Sequence, residues 1–96
     1  MITVKAGAGF TRNQLSGYLE SKKIQTRNLF AGNLVKHPAF DEMRRTGRGY
    51  RIVGELTCTD LIMNNTLWIG VYPGMQPKML HYMIETIKNF VSGHKQ

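Results

Sequence analysis

Cysteine is nearly missing from this chain of 96 residues: Cys58 stands alone. One thiol cannot close an internal disulfide, a Cys-x-x-Cys motif or the cysteine set of an iron–sulfur cluster within the chain, and a reducing, cytoplasmic setting is expected. Long apolar runs are missing too. None approaches the roughly 18–20 residues of a membrane span, which excludes a transmembrane helix and any membrane partner. The opening Met1-Ile2-Thr3-Val4-Lys5 has the pattern of neither a secretory signal nor a transit peptide. Proline is scarce, with three residues, and no Pro-rich linker, repeat or low-complexity tract divides the sequence. Acidic residues are scarce as well: six Asp and Glu face thirteen Lys and Arg, for a net charge of +7. The excess is one-sided. Residues 1–54 hold ten basic and three acidic groups, while residues 55–96 hold three of each. A basic half suits an anionic partner, such as a phosphorylated ligand, nucleic acid or an acidic protein surface; a solvated face with no partner is the plain alternative.

The rest of the composition is that of an ordinary globular domain, with 42% apolar and 20% charged residues. At this length one domain over residues 1–96 is expected, with a single small core. Ile2–Lys5 reads as a strand that starts with the chain, a hint that something longer once preceded it. After a Gly-rich turn, Thr11-Arg12-Asn13-Gln14 has the form of a capping box, with Phe10 and Leu15 at hydrophobic-staple positions, and predicts a helix to about Lys23. Ile24–Phe30 predicts a second strand. Pro38 opens a short helix through Phe40 and Met43, Arg44–Gly49 is expected as a basic loop, and Tyr50–Val53 as a brief strand. Thr57 or Thr59 can cap a short helix carrying Leu61, Ile62 and Met63. Thr66–Tyr72 is a β-branched and aromatic strand, ended by Pro73-Gly74. Pro77 begins a last helix whose apolar stripe is Met79, Leu80, Met83, Ile84, Ile87, Phe90 and Val91. Residues 93–96 are expected to fray. This order of elements implies an α/β (α+β) two-layer sandwich: a small mixed or antiparallel sheet with helices on one face.

A self-contained catalytic site does not assemble from these residues. Asp41 and Glu42 are adjacent among basic neighbours, a surface pattern. His37, His81 and His94 lack metal spacing, and the glycines form neither a dinucleotide fingerprint nor a P-loop. No catalytic, cofactor or metal residue is assigned. Arg48-Gly49-Tyr50 and Val53 partly fit the signature strand of an RNA recognition motif. Ile52 stands where a stacking aromatic belongs, however, so RNA binding is the lesser alternative, beside a free-standing interaction domain.

Six segments carry a resemblance: Thr26-Arg27, Leu29-Phe30-Ala31-Gly32-Asn33, His37-Pro38-Ala39-Phe40, Gly54-Glu55-Leu56-Thr57, Thr66-Leu67-Trp68-Ile69-Gly70 and Tyr72-Pro73-Gly74-Met75. From about Ile2 to Val91 the chain resembles the C-terminal end of the CDP-4-keto-6-deoxyglucose 3-dehydratases of lipopolysaccharide sugar synthesis. These are a branch of the PLP-dependent DegT/DnrJ/EryC/StrS sugar aminotransferase/dehydratase family. The aminotransferase branch has Pro after its Thr-Arg and a Leu-His further on; here Asn28 follows and no Leu-His matches.

The resemblance implies the small C-terminal domain of an aspartate-aminotransferase-like fold, inactive alone. It further implies PLP, and an iron–sulfur cluster, held by a preceding domain of the parent enzyme. That missing domain, a nucleotide-sugar substrate and a second copy are the implied partners. Arg27, Asn33, Lys36 and Arg48 are the candidate substrate-binding residues: a guanidinium or ammonium suits a diphosphate, and Asn33 follows a glycine where a ligand can approach closely. Arg44 and Arg45 share the basic loop with Arg48. An apolar patch is expected where the preceding domain would dock.

Overall fold

The capping box forms as the sequence implies. In the computed structural model, which describes residues 1–94, Thr11 Oγ1 accepts from the Gln14 N–H at 3.1 Å and Gln14 Oε1 accepts from the Thr11 N–H at 2.8 Å. It starts helix α1 (Arg12–Ser21). The far end of α1 closes with the Ile24 N–H on the Leu19 carbonyl (2.9 Å) and the Lys23 N–H on the Glu20 carbonyl (3.0 Å). This is the paired C-terminal cap in which the residue after the helix turns left-handed. Lys23 takes that conformation, at φ +65°, where glycine is the usual occupant.

The sheet has three short antiparallel strands in the order β1 (Ile2–Thr3), β3 (Thr66–Ile69), β2 (Thr26–Asn28). Ile2 pairs with Leu67 and Thr3 with Thr66 on one edge; Thr26, Arg27 and Asn28 pair with Ile69, Trp68 and Leu67 on the other. Strand β3 ends at Ile69 rather than Tyr72. Its partner β2 begins opposite Ile69, and the residues before Thr26 turn out of the end of α1, so nothing pairs beyond that point. Helix α3 (Thr57–Asn65) leads directly into β3, and helix α4 (Pro77–Gly93) follows it with Pro77 in the first turn. Helices α1 and α4 pack on each other. With β3 they enclose the core: Val4, Leu15, Leu19, Ile24, Leu67, Met83 and Phe90. Full burial of a residue such as Leu67 contributes roughly 1.5–3 kcal/mol. The Phe90 ring meets Phe10 edge-on, with centroids 4.9 Å apart, and Tyr18 at 5.0 Å. The architecture is therefore the α+β type with an antiparallel sheet.

Three local expectations need correction. Tyr50–Val53 forms no strand; it runs unpaired and exposed, because no neighbouring strand is within reach to satisfy it. The sheet therefore lacks the signature strand of an RNA recognition motif. Arg44 and Arg45 belong to helix α2 (Asp41–Thr46), not to a loop: their side chains pair with Asp41 and Glu42 one turn back. At the C-terminus α4 runs through Gly93, and His94 packs on it, with Nδ1 2.8 Å from the Phe90 carbonyl and the ring against Phe90. Of the tail expected to fray, residues 95–96 lie outside the described residues.

The molecule divides into a packed body and an arm. Between Asn33 and Thr66 no residue is buried. Two single 3-10 turns, Leu34–Lys36 and Pro38–Phe40, lead into α2. Leu34, Val35, Phe40, Met43, Arg44 and Tyr50 surround a cavity of about 140 Å³ within the arm. The Cα radius of gyration is 17.1 Å, against about 12–13 Å for a compact chain of this length. The accessible surface is 7359 Å², on the order of 1,800 Å² more than a compact monomer of this mass exposes.

Candidate substrate-binding site

Strand β2 and the first turns of the arm position the candidate residues. Arg27 sits in the middle of β2 directly opposite Trp68, exposed, with Nη1 donating to the Thr26 carbonyl at 3.1 Å. Thr26 beneath it is fixed from α1: Glu20 Oε1 accepts from the Thr26 N–H at 2.7 Å and from its hydroxyl at 3.0 Å, while Ser16 Oγ lies 2.8 Å from Thr26 Oγ1. Those two donors, the backbone N–H foremost, hold the Glu20 carboxyl below the usual carboxylate range.

The chain then leaves the sheet through Phe30 and Ala31 into Gly32, at φ +64°. Met63 of α3 packs directly against this glycine. Asn33 follows, with only 2% of its surface exposed. Its Nδ2 donates to Asp60 Oδ1 at 2.9 Å, and Lys36 Nζ meets Asp60 Oδ2 at 2.9 Å. The amide of Asn33 and then the ammonium of Lys36 hold Asp60 below its ordinary range.

The structure thus brings two of the four candidates, Asn33 and Lys36, onto one carboxylate. Each gives one hydrogen bond to Asp60, and together they tie the arm to α3. Asp60 was not singled out from the sequence. The available signal was an acid in the first turn of a helix, too common to stand out when its partners lie 27 and 24 positions away. Arg27 lies apart, on the sheet. Arg48 is exposed between Gly47 (φ +69°) and Gly49 (φ +87°). Among the described residues it makes no ion pair and no hydrogen bond to Arg27, Asn33 or Lys36.

The residues of this chain do not fit a seat for PLP. Such a seat needs a carboxylate free to face the pyridine nitrogen. Here Asp41, Glu42, Asp60 and Glu85 face cations of the chain, Glu20 faces Thr26, and Glu55 is exposed before α3 and lines neither the arm cavity nor the cleft beside α4. Every buried side-chain polar atom among the described residues already has a partner. No group of three or more His, Cys, Asp and Glu converges among them to hold a metal, and Cys58 is exposed on its own.

The motif segments cluster where the body and arm join. Thr26-Arg27 is in β2, Gly32-Asn33 abuts α3, Gly54–Thr57 leads into α3, and Trp68-Ile69 is in β3. A family model for DegT/DnrJ/EryC1/StrS aminotransferases matches residues 1–88. The chain belongs to that family. It is 47% identical over 91 residues to a protein of Saccharopolyspora spinosa named dTDP-4-dehydro-2,6-dideoxy-D-glucose 3-dehydratase, covering 95% of this chain. It is 46% identical over 89 residues to the lipopolysaccharide biosynthesis protein RfbH of Salmonella typhimurium, covering 93% of this chain. In both comparisons the matched segment is 19% of the relative, so the chain spans about a fifth of the length of the curated relatives it matches. The family is PLP-dependent in general. No helix among the described residues is long and apolar enough to cross a membrane.

Proposed function

We propose that this chain is the small C-terminal domain of a nucleotide-sugar 3-dehydratase of deoxysugar or lipopolysaccharide O-antigen synthesis. In this reading it closes the active-site cleft and supplies substrate contacts, while the cofactor and the groups that remove the C3 hydroxyl belong to a large preceding domain. The observation that carries the reading is the 47% identity to a named 3-dehydratase over 95% of the chain. Two physical features support it. The sequence has Asn28 where the aminotransferase branch has proline. The body also exposes apolar surface that a lone domain has no use for: Leu80, Ile84 and Val91 on α4, and Val71 and Tyr72 after β3. A large preceding domain is the partner that fits this surface, with a second copy of the whole enzyme beyond it.

Complementation tests the reading. The Salmonella relative, truncated just before its matched segment, is co-expressed with this chain. Stoichiometric co-purification, with dehydration of a CDP- or dTDP-linked 4-keto-6-deoxy sugar restored, is the expected result. A chain that stays monomeric at high concentration and leaves the truncated relative inactive would overturn it.

A further inference from the structure

Arg27 and Trp68 are register partners, so they share the sheet face opposite to Leu67. Trp68 is 41% exposed there. Phe30, two residues beyond β2, sets its ring beside the indole with the planes only 16° apart and centroids 6.5 Å apart. Phe30 itself is 86% exposed, so it gains almost nothing from burial, yet it is held nearly parallel to the tryptophan. The result is a flat aromatic platform open to solvent.

Beside it the Arg27 guanidinium is held in place. With the Gln25 amide oriented to accept, both Nη atoms reach the Gln25 side-chain oxygen, at 2.8 and 3.1 Å. Gln25 in turn lines a cleft of about 520 Å³ with Lys23, Gly70, Tyr72, Lys78 and Tyr82. This volume falls within the roughly 300–1,000 Å³ of small-molecule sites. The rest of its lining is apolar, Ile24, Met75, Met79 and Met83, and Gln25 is its link to Arg27. Among the described residues Arg27, Lys23 and Lys78 form no ion pair with a carboxylate of the chain. Lys23 keeps a left-handed backbone that glycine would take without strain, at the rim of this cleft.

Two nearly parallel aromatic rings beside a held guanidinium suit one ligand chemistry: a planar base joined to phosphates. We propose that this face binds the nucleoside diphosphate end of a ligand. The base stacks against Trp68 and Phe30, and the phosphates face Arg27. This deepens the function proposed above by assigning the nucleotide handle of the substrate to named residues. Of the four residues first put forward it keeps Arg27 and releases Asn33, Lys36 and Arg48.

Trp68 is the only tryptophan, so its fluorescence reports on this face alone. The 96-residue chain is titrated with CDP and dTDP, and with inorganic pyrophosphate and cytidine as probes lacking the base or the phosphates. The expected result is saturable quenching by the nucleoside diphosphates, none by pyrophosphate, and at least tenfold weaker binding of cytidine. Phe30→Ala and Arg27→Gln each change an exposed side chain, and each weakens CDP binding about tenfold with the far-UV circular dichroism unchanged. That is the scale of one base–aromatic or one charge-assisted contact. Three results would overturn the proposal: no quenching of a folded chain at millimolar CDP, full affinity retained in both variants, or single-stranded RNA binding far more tightly than CDP. The complementation result is independent of this titration. Quenching without complementation removes the dehydratase reading and keeps the site, and the converse removes only the site.

Discussion

Gly32 is the position where the joint between body and arm is most sharply tested. Its φ of +64° lies in the left-handed region, which costs a residue with a Cβ roughly 1–2 kcal/mol. There is also no room. An added Cβ would sit 2.7 Å from Met63 Sδ and 2.8 Å from Met63 Cβ, closer still to Met63 Cγ, and the Met63 Cβ is fixed to the α3 backbone. Forcing a methyl into such a contact costs about 1–3 kcal/mol more. Gly32→Ala should therefore destabilise by about 2–5 kcal/mol in total. For a domain of this size that lowers the melting temperature by about 10 °C or more. The double change Gly32→Ala with Met63→Ala relieves the contact and leaves the backbone term, so the coupling between the two sites should be positive and at least about 1 kcal/mol. If the arm opens without unfolding the body, the same energy shows instead as faster hydrogen exchange over residues 29–40. The reasoning fails if Gly32→Ala alters neither the thermal midpoint nor exchange in the arm, or if Met63→Ala leaves its effect unchanged.

Three further outcomes follow from the geometry. Lys23→Gly should stabilise the chain by roughly 0.5–1 kcal/mol in a urea melt by releasing the left-handed strain at the end of α1. Thr11→Ala removes the hydroxyl that accepts from Gln14 and should cost about 1 kcal/mol by the same assay. Asp60 and Glu20 have carboxyls lowered from 3.8 and 4.5 by native donors. Their contribution is therefore complete above those unfolded values and lost as pH falls through the lower native ones. Stability should be level near neutrality and decline below about pH 4.5, and Asp60→Asn should flatten the Asp60 share of that decline, read from thermal midpoints across pH.

What the sequence disclosed divides along the line between local and distant interactions. Thr11 and Gln14 are three residues apart and their capping box was legible at once; the Pro77 start of α4 was legible for the same reason. Strands depend on a partner. Tyr50–Val53 has the residues of a strand and no neighbour, and Val71 and Tyr72 continue the β-rich run of β3 after its partner β2 has ended. The apolar stripe of α4 is wider than the core it meets, and four of its seven residues, Met79 among them, are exposed. Met83 and Phe90 are buried, whereas Leu80, Ile84 and Val91 face outward. Periodicity shows that a face is apolar and not what covers it. Among the site residues, Arg27 was visible through the Thr-Arg pair. The junction of Asn33, Lys36 and Asp60 was not, since only folding brings α3 beside the arm.

The exit of the arm is fixed at Gly32 and Asn33 by α3, and Phe30 lies just two residues before Gly32. The orientation of the Phe30 ring over Trp68 therefore depends on the same joint that holds Asn33 to Asp60. Asn33→Ala leaves one acceptor of Asp60 without its amide donor and loosens the joint without touching either aromatic ring. It should weaken nucleotide quenching of Trp68 in the folded chain although Asn33 makes no contact with the platform. An unchanged titration in Asn33→Ala would mean that Phe30 is set by β2 alone and that the arm and the sheet face act independently.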